Sequence, residues 1–307
     1  MIEPNLSVSL GRIKLANPVI ACSGTFASGI EYNNFFNTSK LGAVTTKSFS
    51  LSKKPGNNPP RIWETPCGIL NSIGLQNDGI DYFIDEQLPA VENLGIKIIL
   101  SIFGEDEDEF NKIAKKISKI KSHIIAVELN LSCPNVEKGG MAFCSMPDRV
   151  EIITKSISNI LNVPVIVKLS PNTDKIIECA IAAKNGGAEA ISLINTIIGT
   201  AVDIENFKPK LGNVFGGLSG PAIKPIALAK IYALAKEKIL PIIGMGGIYN
   251  WQDALEFIIM GASAVGIGTA NFVEVNACEK IIKGIADYMI EKNIADIGYI
   301  IGKVFEN

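Results

Sequence analysis

The sequence predicts an α/β protein built as a (β/α)8 TIM barrel, and three observations carry that reading. Eight short runs rich in β-branched residues recur along the 307 residues, each followed by a Gly, Ser or Asn cluster and then a segment of helical period. Those runs are almost continuously apolar, as parallel strands covered on both faces must be. The first run leads into Cys22-Ser23-Gly24-Thr25, where a doubly wound dinucleotide fold would carry G-x-G-x-x-G.

Taken in order, residues 6–15 alternate around Gly11-Arg12 and predict a hairpin that plugs the barrel bottom. The eight strands are predicted at 18–22, 43–46, 96–102, 124–131, 163–169, 190–195, 240–244 and 264–268. Between the second and third lies a long insert, 49–93, carrying Pro55-Gly56-Asn57-Asn58-Pro59-Pro60 and then Asn71-Ser72-Ile73-Gly74-Leu75-Gln76-Asn77. A loop of that length in a compact barrel is usually functional. Helices are predicted at 107–120, where Phe110, Ile113, Ala114 and Ile117 share a face, and at 147–161 and 221–236, which each begin at proline. Neither a linker nor a second repeat interrupts the pattern, so residues 1–307 read as a single domain.

The composition is 47% hydrophobic and 20% charged, and the mean hydropathy is +0.28, which describes a large buried core. The longest apolar runs fall far short of the ~20 residues needed to cross a bilayer. With 29 basic against 31 acidic residues the net charge is −2, which leaves no positive field for nucleic acid or an anionic membrane face. The N-terminus lacks the charged and apolar regions of a secretion signal, so a cytoplasmic location is expected. The six cysteines include no C-x-x-C pair and His123 is the only histidine, which argues against a metal site made by this chain and against Ser-His-Asp chemistry. Any acid or base must be Cys, Lys or a carboxylate.

Barrel enzymes keep their chemistry at the carboxyl ends of the strands. Here those ends supply Ser23, Lys47, Ser101, Asn130, Lys168, Asn195, Gly246 and Gly268. Lys168 interrupts an apolar strand, so it either serves a site or snorkels out at the strand end. Glu128 shares a face with Asn130 by strand alternation and is expected to be the internal partner of a barrel lysine. The turns Gly244-Met245-Gly246-Gly247 and Gly266-Ile267-Gly268-Thr269, preceded by Phe215-Gly216-Gly217-Leu218-Ser219-Gly220-Pro221, suit a phosphate-bearing cofactor, although tight βα turns need glycine in any case. Cys22, Cys67, Cys179 and Cys278 read as small buried hydrophobes. Cys133 differs by its address, in Asn130-Leu131-Ser132-Cys133-Pro134-Asn135 after the fourth strand, where a thiol of pKa near ~8.5 when free could take a substrate proton. Cys144 is its nearest competitor.

These motifs, with Asn17-Pro18-Val19-Ile20-Ala21, Thr45-Thr46-Lys47-Ser48, Val167-Lys168-Leu169-Ser170-Pro171 and Asn195-Thr196, make the chain resemble the class 1 dihydroorotate dehydrogenases essentially from end to end. The 71–77 motif, Pro59-Pro60-Arg61-Ile62 and Met141-Ala142-Phe143 resemble the subclass termed 1B. That resemblance implies an FMN-binding catalytic chain, paired as a homodimer within a heterotetramer whose other subunit carries FAD and a [2Fe-2S] cluster and passes electrons to NAD+. It also implies oxidation of (S)-dihydroorotate to orotate, with Cys133 removing the C5 proton, hydride leaving C6 for the flavin, and Lys168 facing the flavin N1–C2=O edge. Substrate contacts are implied at Lys47, Asn71, Ser72, Ile73, Gly74, Leu75, Asn130, Asn195 and Thr196. Cofactor contacts are implied at Ser23, Lys47, Ser48, Ser101, Asn130, Lys168, Ile194, Gly220, Gly246, Gly247, Gly268 and Thr269. Asp78, Cys144-Ser145-Met146 and Ile102-Phe103 depart from the family pattern beside the active-site loop and third strand. The alternatives are a class 1A enzyme, homodimeric and fumarate-reducing, the pyrimidine-reducing barrel of dihydropyrimidine dehydrogenase, which shares the Asn-x-Ser-Cys-Pro pattern within a much longer chain, a catalytically inert flavin-binding barrel, and an aldolase-type barrel using Lys168 as a Schiff base.

Overall fold

The computed structural model describes residues 3–120, 123–131 and 143–306. Sixteen strands occur among them. Their order is β1 (Val8–Leu10), β2 (Ile13–Leu15), β3 (Val19–Ala21), β4 (Ala43–Thr45), β5 (Ile62–Thr65), β6 (Gly68–Asn71), β7 (Ile98–Ile102) and β8 (Ile124–Asn130). There follow β9 (Val165–Lys168), β10 (Ala190–Leu193), β11 (Ile197–Gly199), β12 (Val202–Asp203), β13 (Lys208–Pro209), β14 (Gly216–Ser219), β15 (Ile242–Met245) and β16 (Ala264–Ile267). Strands β3, β4, β7, β8, β9, β10, β15 and β16 pair in parallel in that order, and β16 closes back on β3.

These are the eight predicted runs, seven of them trimmed at the ends and the seventh, β15, shifted to start two residues later and end one later, at Met245. β9 starts at Val165 and β15 at Ile242 because Pro164 and Pro241 lack the N–H that a ladder position requires. Every residue of β3, β4, β7, β9, β10, β15 and β16 is buried, which is why the runs carry no polar alternation.

The helices are α1 (Ile80–Tyr82), α2 (Leu88–Asn93), α3 (Glu107–Ile117), α4 (Pro147–Ile160), α5 (Ile176–Asn185), α6 (Lys224–Lys236), α7 (Trp251–Ile259), α8 (Ala270–Val273) and α9 (Ala277–Glu291). Phe110, Ile113, Ala114 and Ile117 form the buried stripe of α3, and Asp106 caps it by accepting from Glu109 N at 2.8 Å. Pro221 starts a 3-10 turn instead of the helix itself, and α6 begins at Lys224. The β1–β2 hairpin buries Leu10, Ile13 and Leu15. Its Arg12 pairs at 2.6 Å with Glu189, the residue before β10, which fixes the hairpin at the amino-terminal end of the barrel as expected.

The insert forms more strand than the sequence shows. β5 and β6 make an antiparallel hairpin, and β6 pairs with β14, which pairs with β11, to give the sheet β11-β14-β6-β5. β11 follows directly from the carboxyl end of β10, so this sheet stands at the carboxyl mouth of the barrel. It also corrects one expectation: Gly216 and Gly217 belong to β14 and not to a phosphate turn. A Cβ on Gly217 would lie 2.0 Å from Thr196 Oγ1, and one on Gly216 would lie 2.7 Å from Asn71 O. Glycine is needed there for close approach of neighbouring chain.

Candidate active site at the carboxyl mouth of the barrel

Two lysines dominate the mouth. Lys168 ends β9 at 7% exposure, and Lys47, two residues past β4, is half-buried. Among the described residues neither side chain has a hydrogen bond or ion-pair partner within 4.0 Å. Burial, and after it the charge of Lys168, hold the Lys47 ammonium below the usual lysine range. Two mutually repelling cations without a carboxylate partner among the described residues form a receptor for an anionic or electron-rich ligand, which offsets their desolvation.

Glu128 was expected to be the lysine partner, and the structure corrects this. Its fully buried carboxylate accepts from Ser101 Oγ at 3.1 Å and Ser192 Oγ at 2.7 Å, and no lysine among the described residues is in ion-pair contact with it. Strand alternation placed it on the correct inner face, but alternation does not tell which neighbours reach it. Ser101 Oγ lies 2.8 Å from Ser48 Oγ, which accepts from Asn130 Nδ2 at 3.1 Å. Three predicted site residues are therefore joined through one hydrogen-bonded chain.

The antiparallel sheet brings the other predicted group to the same mouth. Asn71 ends β6 and donates from Nδ2 to Gly217 O at 3.2 Å, while Ser72 Oγ accepts from Asn57 Nδ2 at 3.1 Å and Asn213 Nδ2 at 3.2 Å. Gly74 has φ +72° and its Cβ position lies 2.5 Å from the Asn57 side chain, so only glycine fits the turn that follows Ile73. Leu75 also has positive φ, at +54°. Asn77, buried, ties this loop down: its Nδ2 donates to Leu75 O at 2.8 Å and Ser50 Oγ at 2.9 Å, and its Oδ1 accepts from Gly79 N at 2.8 Å. Ser50 lies just after Lys47 and Ser48, so loop and lysine share one anchor. Asn195 Oδ1 accepts from Thr196 N at 2.8 Å, and Thr196 O accepts from Asn172 Nδ2 at 2.9 Å. Asn57, Asn77 and Asn172 were missed in the sequence because they act on backbone and neighbouring amides; the Asn-rich turns were their only signal.

Glycines form a third wall. Gly220, Gly246 and Gly247 have φ of +100°, +126° and +80°, and a Cβ on Gly247 would lie 2.9 Å from Gly220 O, so the two turns adjoin. A Cβ on Gly246 would lie 3.1 Å from Ile194 Cγ1. At Gly268 nothing lies nearer than 3.9 Å, and at Gly24, beside the half-buried Ser23, nothing lies within 4 Å. Thr269 Oγ1 donates to Ser219 Oγ at 2.8 Å. Packing alone thus demands glycine on one side of this wall, while the Gly268 side keeps open space suited to a phosphate.

Cys22, Cys179 and Cys278 are buried as expected, whereas Cys67 is exposed, on the turn between β5 and β6. Burial pushes the Cys22 thiol up to about 12, which removes it as a base despite its place under the mouth. Cys133 and its neighbours Ser132, Pro134 and Asn135 lie outside the described residues, as do Met141 and Ala142.

The profile of the family described as Dihydroorotate dehydrogenase matches residues 5–289. The chain belongs to the dihydroorotate dehydrogenase family. It is similar to "Dihydroorotate dehydrogenase B (NAD(+)), catalytic subunit" of Thermoanaerobacter sp. (strain X514), 49% identical over 300 residues, covering 98% of this chain and 99% of that one. The protein of the same name from Geotalea daltonii is 44% identical over 302 residues, with the same coverage of 98% and 99%. Its fold is also that of the crystal structure of DHODH in complex with ferulenol from Eimeria tenella, at TM-score 0.80 and 21% identity, covering 99% of this chain and 89% of that one. Among the described residues no helix is long and apolar enough to cross a membrane.

Proposed function

We propose that this chain is the FMN-binding catalytic subunit of an NAD-linked dihydroorotate dehydrogenase, oxidising (S)-dihydroorotate to orotate in pyrimidine synthesis. The observation that carries the reading is the pair of lysines without a partner among the described residues, at a mouth otherwise lined by amides and hydroxyls. An anionic pyrimidine and a flavin phosphate are ligands of the required chemistry, and relatives at 44–49% identity bear that enzyme's name. The polar residues present fit FMN: Lys47 and Lys168 as donors and Ser48, Ser101 and Asn130 as polar neighbours for the ring, with Ser23, Ile194, Gly220, Gly246, Gly247, Gly268 and Thr269 around ring and phosphate. Bound FMN supplies the hydride acceptor for substrate C6.

The chain's own residues do the remainder. Cys133 takes the C5 proton as general base. Lys168, only 7% exposed, holds a fixed positive charge where negative charge develops, and at that depth the charge is weakly screened. Lys47 receives the substrate carboxylate, and Asn71, Asn130 and Asn195, with Thr196 and the backbone of residues 72–75, match the alternating N–H and C=O groups of the pyrimidine. The partner is an electron-transfer subunit holding FAD and a [2Fe-2S] cluster, joined to a homodimer of this chain in a heterotetramer.

Two predictions follow from the geometry of the mouth. Gly217→Ala places a methyl on Thr196 Oγ1, so orotate affinity should fall about tenfold in calorimetric titration while FMN content stays unchanged. The second concerns pH: Lys47 has a lowered pKa, so it loses its proton at a lower pH than an ordinary lysine. Orotate affinity should therefore weaken on the alkaline side beginning below 10.5, and Lys47→Arg, with its persistent charge, should remove that limb. A flat profile in the unmodified protein would contradict the Lys47 assignment.

The subclass is tested by supplying acceptors. Dihydroorotate-dependent NAD+ reduction should require the partner subunit, and fumarate reduction by this chain alone would reverse the choice in favour of the homodimeric 1A enzyme.

A further inference from the structure

Glu128 takes no part in the chemistry assigned above, yet it is 1% exposed and lies on β8 two residues before Asn130. Its carboxylate accepts from Ser101 Oγ and Ser192 Oγ. A hydroxyl has one proton, and that of Ser101 goes to Glu128. The 2.8 Å bond between Ser48 and Ser101 can then be made only with Ser48 as donor. With its proton committed, the Ser48 oxygen is an acceptor toward every other group, and it meets the nitrogen rather than the oxygen of the Asn130 amide at 3.1 Å.

We propose that Glu128 is a positioning residue, the terminal acceptor that sets the direction of the relay Asn130 to Ser48 to Ser101. It thereby fixes Ser48 as an acceptor and the Asn130 amide in one orientation at the mouth. This rests on the reading of the mouth as the dihydroorotate and flavin site. The ligand group selected beside Ser48 is a donor such as the N–H of a cyclic imide; a carbonyl placed there would face a lone pair and lose its hydrogen bond. A carboxylate serves as terminus because it only accepts, and charge-assisted bonds to it are stronger than those between neutral groups.

The experiment is calorimetric titration of the FMN-loaded protein with orotate. Glu128→Gln keeps the shape but introduces a donor, and should weaken orotate binding about tenfold. Ser101→Ala, which cuts the relay and leaves Glu128 its bond to Ser192, should do the same, and it serves as the second variant should Glu128→Gln fail to fold. Ser192→Ala removes the partner of Glu128 that lies off the relay and should change affinity by less than about twofold. In a Ser48→Ala background Glu128→Gln should add nothing. Wild-type affinity in both Glu128→Gln and Ser101→Ala, an equal loss in Ser192→Ala, or additivity with Ser48→Ala would each overturn the inference in favour of a purely structural carboxylate. An unmodified protein that binds no orotate would overturn the site reading, and the inference with it.

Discussion

Replacing Cys133 with Ser is expected to slow reduction of the bound flavin by dihydroorotate by about 10²–10⁴-fold, the usual contribution of a positioned general base. A hydroxyl is a far weaker proton acceptor than a thiolate, and among the described residues the mouth offers no substitute. His123 lies in the turn before β8, at the amino-terminal end of the barrel, and Glu128 is enclosed by two serine hydroxyls. The Cys22 thiol, held up at about 12, cannot stand in. FMN content and orotate affinity should remain near those of the unmodified protein, because in the proposed mechanism the thiol acts on the proton and not on the ring contacts. Stopped-flow absorbance at the flavin band separates the two effects. Equal rates in both proteins would remove Cys133 from the mechanism.

Lys168→Met should act with opposite signs on function and on stability. Loss of a fixed charge aimed at developing negative charge should lower the rate of flavin reduction by about 10²–10³-fold. The same ammonium is 7% exposed and unpaired among the described residues, so folding without ligand carries its desolvation. Methionine fills a similar volume without charge, and the melting temperature of the ligand-free protein should rise, on the order of 2 °C for about 1 kcal/mol in a chain of this size. FMN should then stabilise the variant less than the unmodified protein, by linkage. A melting temperature that falls without ligand would show that Lys168 is paired in the fold and is not reserved for a ligand.

The eight barrel strands were legible because a parallel strand buried on both faces must be apolar throughout, and short βα turns mark their ends. The antiparallel sheet over the mouth was not legible. β5 is largely exposed, β11 is three residues long, and β14 begins Gly216-Gly217, a pattern that in sequence resembles a phosphate turn. Glycine permits both a positive φ and close packing, and only coordinates distinguish Gly247, at φ +80°, from Gly217, whose Cβ position collides with Thr196. Residues of the candidate mouth were legible by position where a charge breaks an apolar strand, as at Lys168, and where a polar residue ends one, as at Asn130. Glu128 shows the limit of that reading. Its face follows from strand period, while its partners depend on serines from β7 and β10 that no local pattern connects to it.

The central claim is that this mouth binds FMN and passes reducing equivalents from dihydroorotate to it. Anaerobic titration of the purified chain with dihydroorotate, followed at the visible flavin band, tests it most directly. The account predicts a yellow preparation that bleaches on addition of substrate; a colourless preparation, or a flavin band unchanged by dihydroorotate, would contradict it.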